Sequence, residues 1–99
     1  MASYSVLTSA TPPEALRRAI EFFGPSGSGL QLTTRDMASA RLNGGGGHVQ
    51  VVAQRMPDGR TEVQIETMHF DEDVRRFVAR LPHESFLGAL LRRIRPRRE

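Results

Sequence analysis

The sequence predicts an α+β fold with one curved antiparallel sheet and helices packed on one face of that sheet. Two runs rich in Val, Ile and Thr flank the turn Pro57-Asp58-Gly59, which is typical of a central β-hairpin. Apolar residues recur at helical spacing before and after the strand-rich middle of the chain. A chain of 99 residues is expected to form a single domain, here over residues 1–99. The chain has no cysteine, so this domain is expected to fold without disulfides.

The chain opens with a short strand and a helix. Alternation of apolar and polar residues over residues 4–8 predicts the strand. Thr11 is expected to cap the helix with Glu14 as its capping-box partner, and Pro12 stands at the first helical position. The predicted core-facing side of the helix consists of Ala15, Leu16, Ala19, Ile20, Phe22 and Phe23.

This opening, with the segment TPPEALRRAIEFF after the strand, resembles the start of helix-grip domains of the START and polyketide-cyclase kind. In those domains a strand runs into a helix that begins at a PPEA-type turn. The resemblance covers about 20 residues. It implies a helix held against a curved sheet and a pocket for an apolar ligand.

Glycine-rich segments separate the next elements. Residues 24–29, GPSGSG, are expected to end the helix and form a flexible connection. Two short strands are predicted, over residues 30–35 and 39–42. Residues 43–47, NGGGG, are expected to form a mobile loop, because four consecutive glycines leave the backbone unrestrained. These glycines lack the Lys and the Ser or Thr that a phosphate-binding P-loop requires.

The turn at residues 57–59 fixes the register of the central hairpin. If Met56 lies opposite Arg60, the two residue numbers of each facing pair in the hairpin add up to 116. One side of the hairpin then carries Val49, Val51, Ala53, Val63, Ile65 and Thr67, and this side is the predicted core face. The other side, with Gln50, Val52, Gln54, Glu62, Gln64 and Glu66, is predicted to face water.

Two helices follow the hairpin. The acidic residues 71–73 begin the first helix, whose apolar stripe consists of Val74, Phe77, Val78 and Leu81 and which ends at Pro82. The second helix is predicted over residues 84–94, and residues 95–99 are expected to form a basic, frayed tail. The apolar side chains of the second helix, which we identify as candidate interaction residues, are Phe86, Leu87, Leu90, Leu91 and Ile94.

Positive charge is concentrated at the carboxy-terminal end of the chain. Residues 1–91 carry nine Arg and ten acidic residues, for a charge of −1, whereas residues 92–99 carry five Arg and one Glu, for +4. The candidate anion-contacting residues are Arg92, Arg93, Arg95, Arg97 and Arg98. They are suited to contact nucleic acid or an anionic surface, or to keep a small protein in solution.

No catalytic, metal-binding or cofactor-binding pattern is recognisable. The register of the hairpin sends His48 and His69 to opposite faces, and His83 has no partner at ligand spacing. Glu62 and Glu66 share the water-facing side, where no burial is expected that would adapt a carboxylate to acid-base catalysis. We therefore expect a protein that is not an enzyme and that needs no metal or cofactor.

The leading functional hypothesis is association, either as a homodimer or with a larger protein, through the apolar side of the last predicted helix. Two alternatives remain: binding of an anionic polymer or surface through the Arg-rich end, and binding of a small apolar ligand as in helix-grip domains. The sequence shows no signal peptide and no apolar run long enough to span a membrane, so the expected location is the cytoplasm.

Overall fold

The structure is a computed structural model that describes residues 2–82. It has five antiparallel strands in one sheet, in the order β1-β5-β4-β3-β2, together with two helices. The elements in chain order are β1 (Ala2–Thr8), α1 (Pro12–Phe23), β2 (Gln31–Arg35), β3 (Ser39–Gly44), β4 (Gly47–Arg55), β5 (Thr61–Met68) and α2 (Asp71–Arg80). The predicted α+β class is confirmed, while the last predicted helix and the basic tail lie outside the described residues.

The register of the central hairpin is the predicted one. Val51 pairs with Ile65, and Gln50 pairs with Glu66. The turn is closed by a hydrogen bond from the Met56 N–H to the Arg60 carbonyl oxygen at 2.7 Å. Gly59 adopts a φ of +90°, a conformation that favours glycine.

Both helices pack on the same face of the sheet, α1 over β3 and β4 and α2 over β5. Three phenylalanines join the helices, because the ring centroid of Phe77 on α2 lies 5.6 Å from that of Phe22 and 5.2 Å from that of Phe23. The buried core comprises Ala15, Leu16, Ala19, Phe23, Leu30, Ala40, Leu42, Val49, Val51, Ala53, Val63, Ile65, Val74, Phe77 and Leu81. It includes every apolar residue of the predicted core face of the hairpin.

The cap of α1 forms largely as the sequence predicts. The Thr11 hydroxyl accepts a hydrogen bond from the Glu14 N–H at 3.3 Å, and Pro12 begins the helix. The Glu14 carboxylate binds Arg17 and, at 2.9 Å, Arg18, in place of the backbone bond that a full capping box would make. The hydrogen bond from Arg17 is the main reason why the pKa of Glu14 is lowered.

The prediction of a mobile loop over residues 43–47 is wrong. Gly44 and Gly47 pair with each other as the last rungs of the β3–β4 ladder, so the turn contains just Gly45 and Gly46. Both turn residues have positive φ, +56° and +81°, as a type I′ turn requires. The glycines therefore supply a tight hairpin turn.

The connection over residues 24–29 is also more ordered than expected. The N–H groups of Gly27 and Gly29 both donate to the carbonyl oxygen of Gly24, and the Ser28 N–H donates to that of Phe22. A Cβ atom on Gly27 would lie 2.0 Å from the Phe22 oxygen, so the chain folds too closely here for a larger residue. Hydrogen-bonded turns thus lead from α1 into β2.

Candidate interaction surface

The two edge strands of the sheet differ in how well they resist pairing with another chain. β2 is five residues long, and its register with β3 shifts between Leu32 and Thr34. It also carries Arg35. Short length, a bulge and a charged side chain are the devices by which natural sheets block pairing at an edge.

The opposite edge strand, β1, has none of these protective features. Its seven residues, ASYSVLT, include neither a charged residue nor proline. It pairs with β5 in unbroken register from Ala2 opposite Thr67 to Thr8 opposite Thr61. A regular, uncharged edge of this length is a ready template for an additional strand.

The hydrogen-bonding phase of the sheet shows which backbone groups of β1 point outwards. The Met56 N–H binds the Arg60 oxygen, and hydrogen-bonded pairs recur at every second residue of an antiparallel ladder, so the even-numbered residues of β5 bond to β4. The odd-numbered residues of β5 therefore bond to β1 on the other side. In β1 the residues opposite odd-numbered β5 residues are even-numbered. The N–H and C=O groups of Ser3, Ser5 and Leu7 therefore point away from β5.

The end of β1 confirms this phase. The next odd-numbered residue, Ser9, donates its N–H to the carbonyl oxygen of Pro82 at 3.1 Å. The Thr8 hydroxyl also donates to that oxygen. Pro82 thus lies against the end of the β1 edge, just beyond the outward-pointing groups of Leu7.

Side chains on the inner side of β1 are part of the monomer but are incompletely covered. Tyr4 and Val6 pack against the buried core while remaining partly accessible. The Tyr4 hydroxyl donates to Asp71 at 2.8 Å, and this hydrogen bond raises the pKa of Tyr4. Together these two side chains form an apolar border beside an edge that pairs with no further strand of residues 2–82.

The outer side of β1 is small and polar apart from one leucine. Ser3 and Ser5 are exposed, and the Ser5 hydroxyl donates to the Glu62 carboxylate at 3.0 Å. Leu7 has 38% of its surface exposed. The Glu62 carboxylate of β5 therefore reaches over the outer side of β1 beside Ser5.

A second surface feature is a groove of about 580 Å³ between α1 and α2. Its apolar part includes Phe22, Phe77 and Leu81. Charged residues of both signs also line it: Arg18, Arg76, Arg80, Glu21 and Asp73. The Arg80 guanidinium carbon lies 5.6 Å from the centre of the Phe22 ring. The groove opens between the two helices, whereas the helix-grip resemblance implies a cavity between a helix and the sheet.

The residues considered for acid-base or metal chemistry lie on the central hairpin or directly after it. Within residues 2–82 no group of three or more His, Cys, Asp or Glu side chains is placed to hold a metal ion. His48 pairs with Met68 in the ladder, and His69 follows the end of β5 with a φ of +76°. Glu62 and Glu66 occupy the polar face of the sheet, as predicted.

The site residues predicted from the sequence, residues 86–94 for association and residues 92–98 for anion contact, lie outside the described residues. The edge of β1 is a candidate site that was not predicted from the sequence. A signal for it was present, because among the five strands within residues 2–82 only residues 2–8 have neither a charge nor a glycine. An uncharged strand indicates a pairing site for another chain only when the strand lies at an edge of the sheet, and the strand order places β1 there.

The chain matches no protein-family model, no curated protein and no solved structure. Of the two helices in residues 2–82, neither has the length and apolar character needed to cross a bilayer.

Proposed function

We propose that this is a small non-enzymatic domain that acts by associating with another protein chain through the open edge of β1. The observation that carries the proposal is the contrast between the two sheet edges. β2 is short, bulged and charged, whereas β1 is long, regular and uncharged. A strand added beside β1 would give hydrogen-bond partners to the outward N–H and C=O groups of Ser3, Ser5 and Leu7.

The experiment that tests this proposal changes one backbone donor. Proline at position 5 removes the outward N–H of Ser5 but leaves the β1–β5 ladder intact, because that N–H points away from β5. Ser5→Ala is the matched control, since it removes the hydroxyl and its bond to Glu62 while it keeps the N–H. Sedimentation velocity over a range of concentrations, with a thermal melt of each variant, measures association and folding separately.

We expect the wild type and Ser5→Ala to associate as concentration rises, and Ser5→Pro to remain monomeric with a cooperative melt. A wild type that stays monomeric at every concentration and binds no extended peptide would overturn the proposal. Association of Ser5→Pro at the wild-type strength would also overturn it, because another surface would then be responsible.

The groove between α1 and α2 supports a second candidate function, the binding of a small apolar ligand. Its volume of about 580 Å³ falls in the range of small-molecule pockets, about 300–1,000 Å³, and its apolar part includes two aromatic rings. A ligand that binds the folded state raises the melting temperature. Titration with a panel of apolar carboxylic acids should then stabilise the wild type and fail to stabilise Phe22→Ala.

A further inference from the structure

We infer that the strand pairing with β1 is β1 of a second copy of this chain, antiparallel and related by a two-fold axis at Ser5. This inference rests on the proposed function and names its partner. The resulting dimer has one continuous ten-stranded sheet, since five strands of each copy lie in the order β2-β3-β4-β5-β1 up to the axis.

The register follows from which groups point outwards. Antiparallel pairing places outward-pointing residues of the two strands opposite each other. With Ser5 opposite Ser5 of the second copy, Ser3 lies opposite Leu7, and Leu7 lies opposite Ser3. In this register, and not in one shifted by two residues, all three outward residues of each strand find partners. The edge is therefore self-complementary, as a two-fold interface requires.

The side chains agree with this register on both faces. On the inner side, Tyr4 of one copy lies opposite Val6 of the other, so two partly exposed apolar residues cover each other. On the outer side, Leu7 of one copy lies beside Ser3 of the other. The serine side chain is small, so it leaves room for contact with the apolar surface of Leu7. Pairing thus shields the apolar border of the edge.

The opposite edge is a poorer partner. The register shift between Leu32 and Thr34 breaks the regular spacing of outward groups on β2, and Arg35 adds a charge. Pairing of β1 with β2 of another copy would also leave an unpaired edge at each end and continue into an open chain of molecules. Two β1 strands instead close the assembly at two copies.

The helices leave room for this dimer, whereas one pair of charges opposes it. Glu62 lies on β5, but its carboxylate accepts a hydrogen bond from the Ser5 hydroxyl at 3.0 Å, so the two Glu62 carboxylates lie close to each other beside the axis. Salt screens their repulsion, so we expect the dimer to strengthen as ionic strength rises. α2 lies over β5, so the two α2 helices are separated by three strand spacings, about 14 Å, beyond the ~8–10 Å of direct helix packing.

The contact is small, so the dimer must be weak. Two seven-residue strands bury much less than the ~1,600 Å² of a typical stable interface. We expect a dissociation constant in the micromolar to millimolar range, with exchange between monomer and dimer on dilution.

Single cysteines test the register directly, because the natural chain has none. Ser5→Cys places two thiols on the axis with Cα atoms about 5.5 Å apart. Ser3→Cys, its matched control, is exposed on the same side of the same strand but places its two Cα atoms about 14 Å apart. A bismaleimide too short to span the second distance should cross-link Ser5→Cys into a covalent dimer and leave Ser3→Cys monomeric.

A charge on the axis provides an independent test. Ser5→Asp brings two like charges directly opposite each other, beside the two Glu62 carboxylates, and this disfavours pairing. We expect the dissociation constant to rise at least about tenfold. Gln54→Asp is the control, since it adds the same charge opposite Glu62 at an exposed position on the same face, two strands away from the edge.

The outcomes separate the two proposals. A wild type that dimerises while Ser5→Asp dimerises equally well and Ser5→Cys fails to cross-link overturns this inference but leaves association as the function. A wild type that binds an extended peptide but never dimerises also overturns the dimer and leaves association as the function. Hydrogen exchange of the Ser3, Ser5 and Leu7 amides completes the test: protection that falls on dilution supports the dimer, and protection independent of concentration places the covering group within one chain and overturns it.

Discussion

Val51 on β4 lies directly opposite Ile65 on β5, and both side chains are buried, with 0% and 1% of their surface exposed. The residues next to them along each strand, Gln50 and Gln64, point to the other face and are in contact with water. Because side chains alternate between the two faces of a strand, this single pairing determines which residues of the hairpin form the core.

The first prediction follows from that alternation. We expect Ile65→Asp to unfold the domain, because an unpaired carboxylate buried at this position costs about as much as the ~5–10 kcal/mol that stabilises a domain of this size. Gln64→Asp, one residue away, should change the free energy of unfolding by less than about 1 kcal/mol. Circular dichroism with urea titration measures both, and a folded Ile65→Asp protein would contradict the observed register.

The hairpin was predictable from sequence because its register depends on local features, the turn at residues 57–59 and the alternation of apolar residues on both sides of it. The glycine-rich turn was not. Four consecutive glycines are compatible with a mobile loop and with a type I′ turn, and glycine side chains carry no pattern that distinguishes the two. The outcome depends on the pairing of β3 with β4, which places Gly44 opposite Gly47.

The second prediction concerns the first residue of that turn. Gly45 has a φ of +56°, which Asn tolerates well, and a Cβ atom there would lie 3.6 Å from the Phe70 ring, an ordinary contact. We expect Gly45→Asn to stabilise the domain by about 0.5 kcal/mol, because Asn restricts the unfolded chain more than glycine does. Urea denaturation measures the change in midpoint.

Gly45→Ala is the control for this substitution. Alanine restricts the unfolded chain in the same way but disfavours positive φ, so it should lower the free energy of unfolding by about 1 kcal/mol. If Asn and Ala destabilised the domain equally, the turn would not have the type I′ conformation that the φ values indicate.

The edge of β1 could not be located from the sequence. An uncharged alternating strand fits the centre of a sheet as well as its edge, and strand order depends on long-range pairing between residues 2–8 and 61–67. Local pattern gives the elements and the core face of each one. It does not give the neighbour of the first strand, on which the candidate site depends.

The third prediction concerns the β2–β3 turn at low pH. The Asp36 carboxylate accepts hydrogen bonds from the Ala38 N–H at 2.8 Å and from Ser39, and these bonds, that from Ala38 foremost, lower its pKa. A carboxyl group whose folded pKa lies below its unfolded value stabilises the fold above the unfolded pKa, and this stabilisation is lost as pH falls through the folded pKa. Between about pH 4 and pH 2, the melting temperature of Asp36→Asn should therefore fall by less than that of the wild type. An unchanged acid profile would contradict the role of these bonds.

The last prediction compares two buried threonines on the core face of β5. The Thr67 hydroxyl donates to the carbonyl oxygen of His48 at 2.9 Å, whereas the buried Thr61 hydroxyl has no hydrogen-bond partner among the described residues. Valine has nearly the same shape as threonine but no hydroxyl. We expect Thr61→Val to stabilise the domain by about 1 kcal/mol, because it removes a buried polar group without a partner. Thr67→Val should destabilise it by about 1 kcal/mol or more, because it breaks a hydrogen bond and leaves the His48 oxygen without that donor. The two variants differ in the partner of the hydroxyl and share strand, face and burial, so urea denaturation that moved both midpoints in the same direction would show that the Thr61 hydroxyl is satisfied in solution.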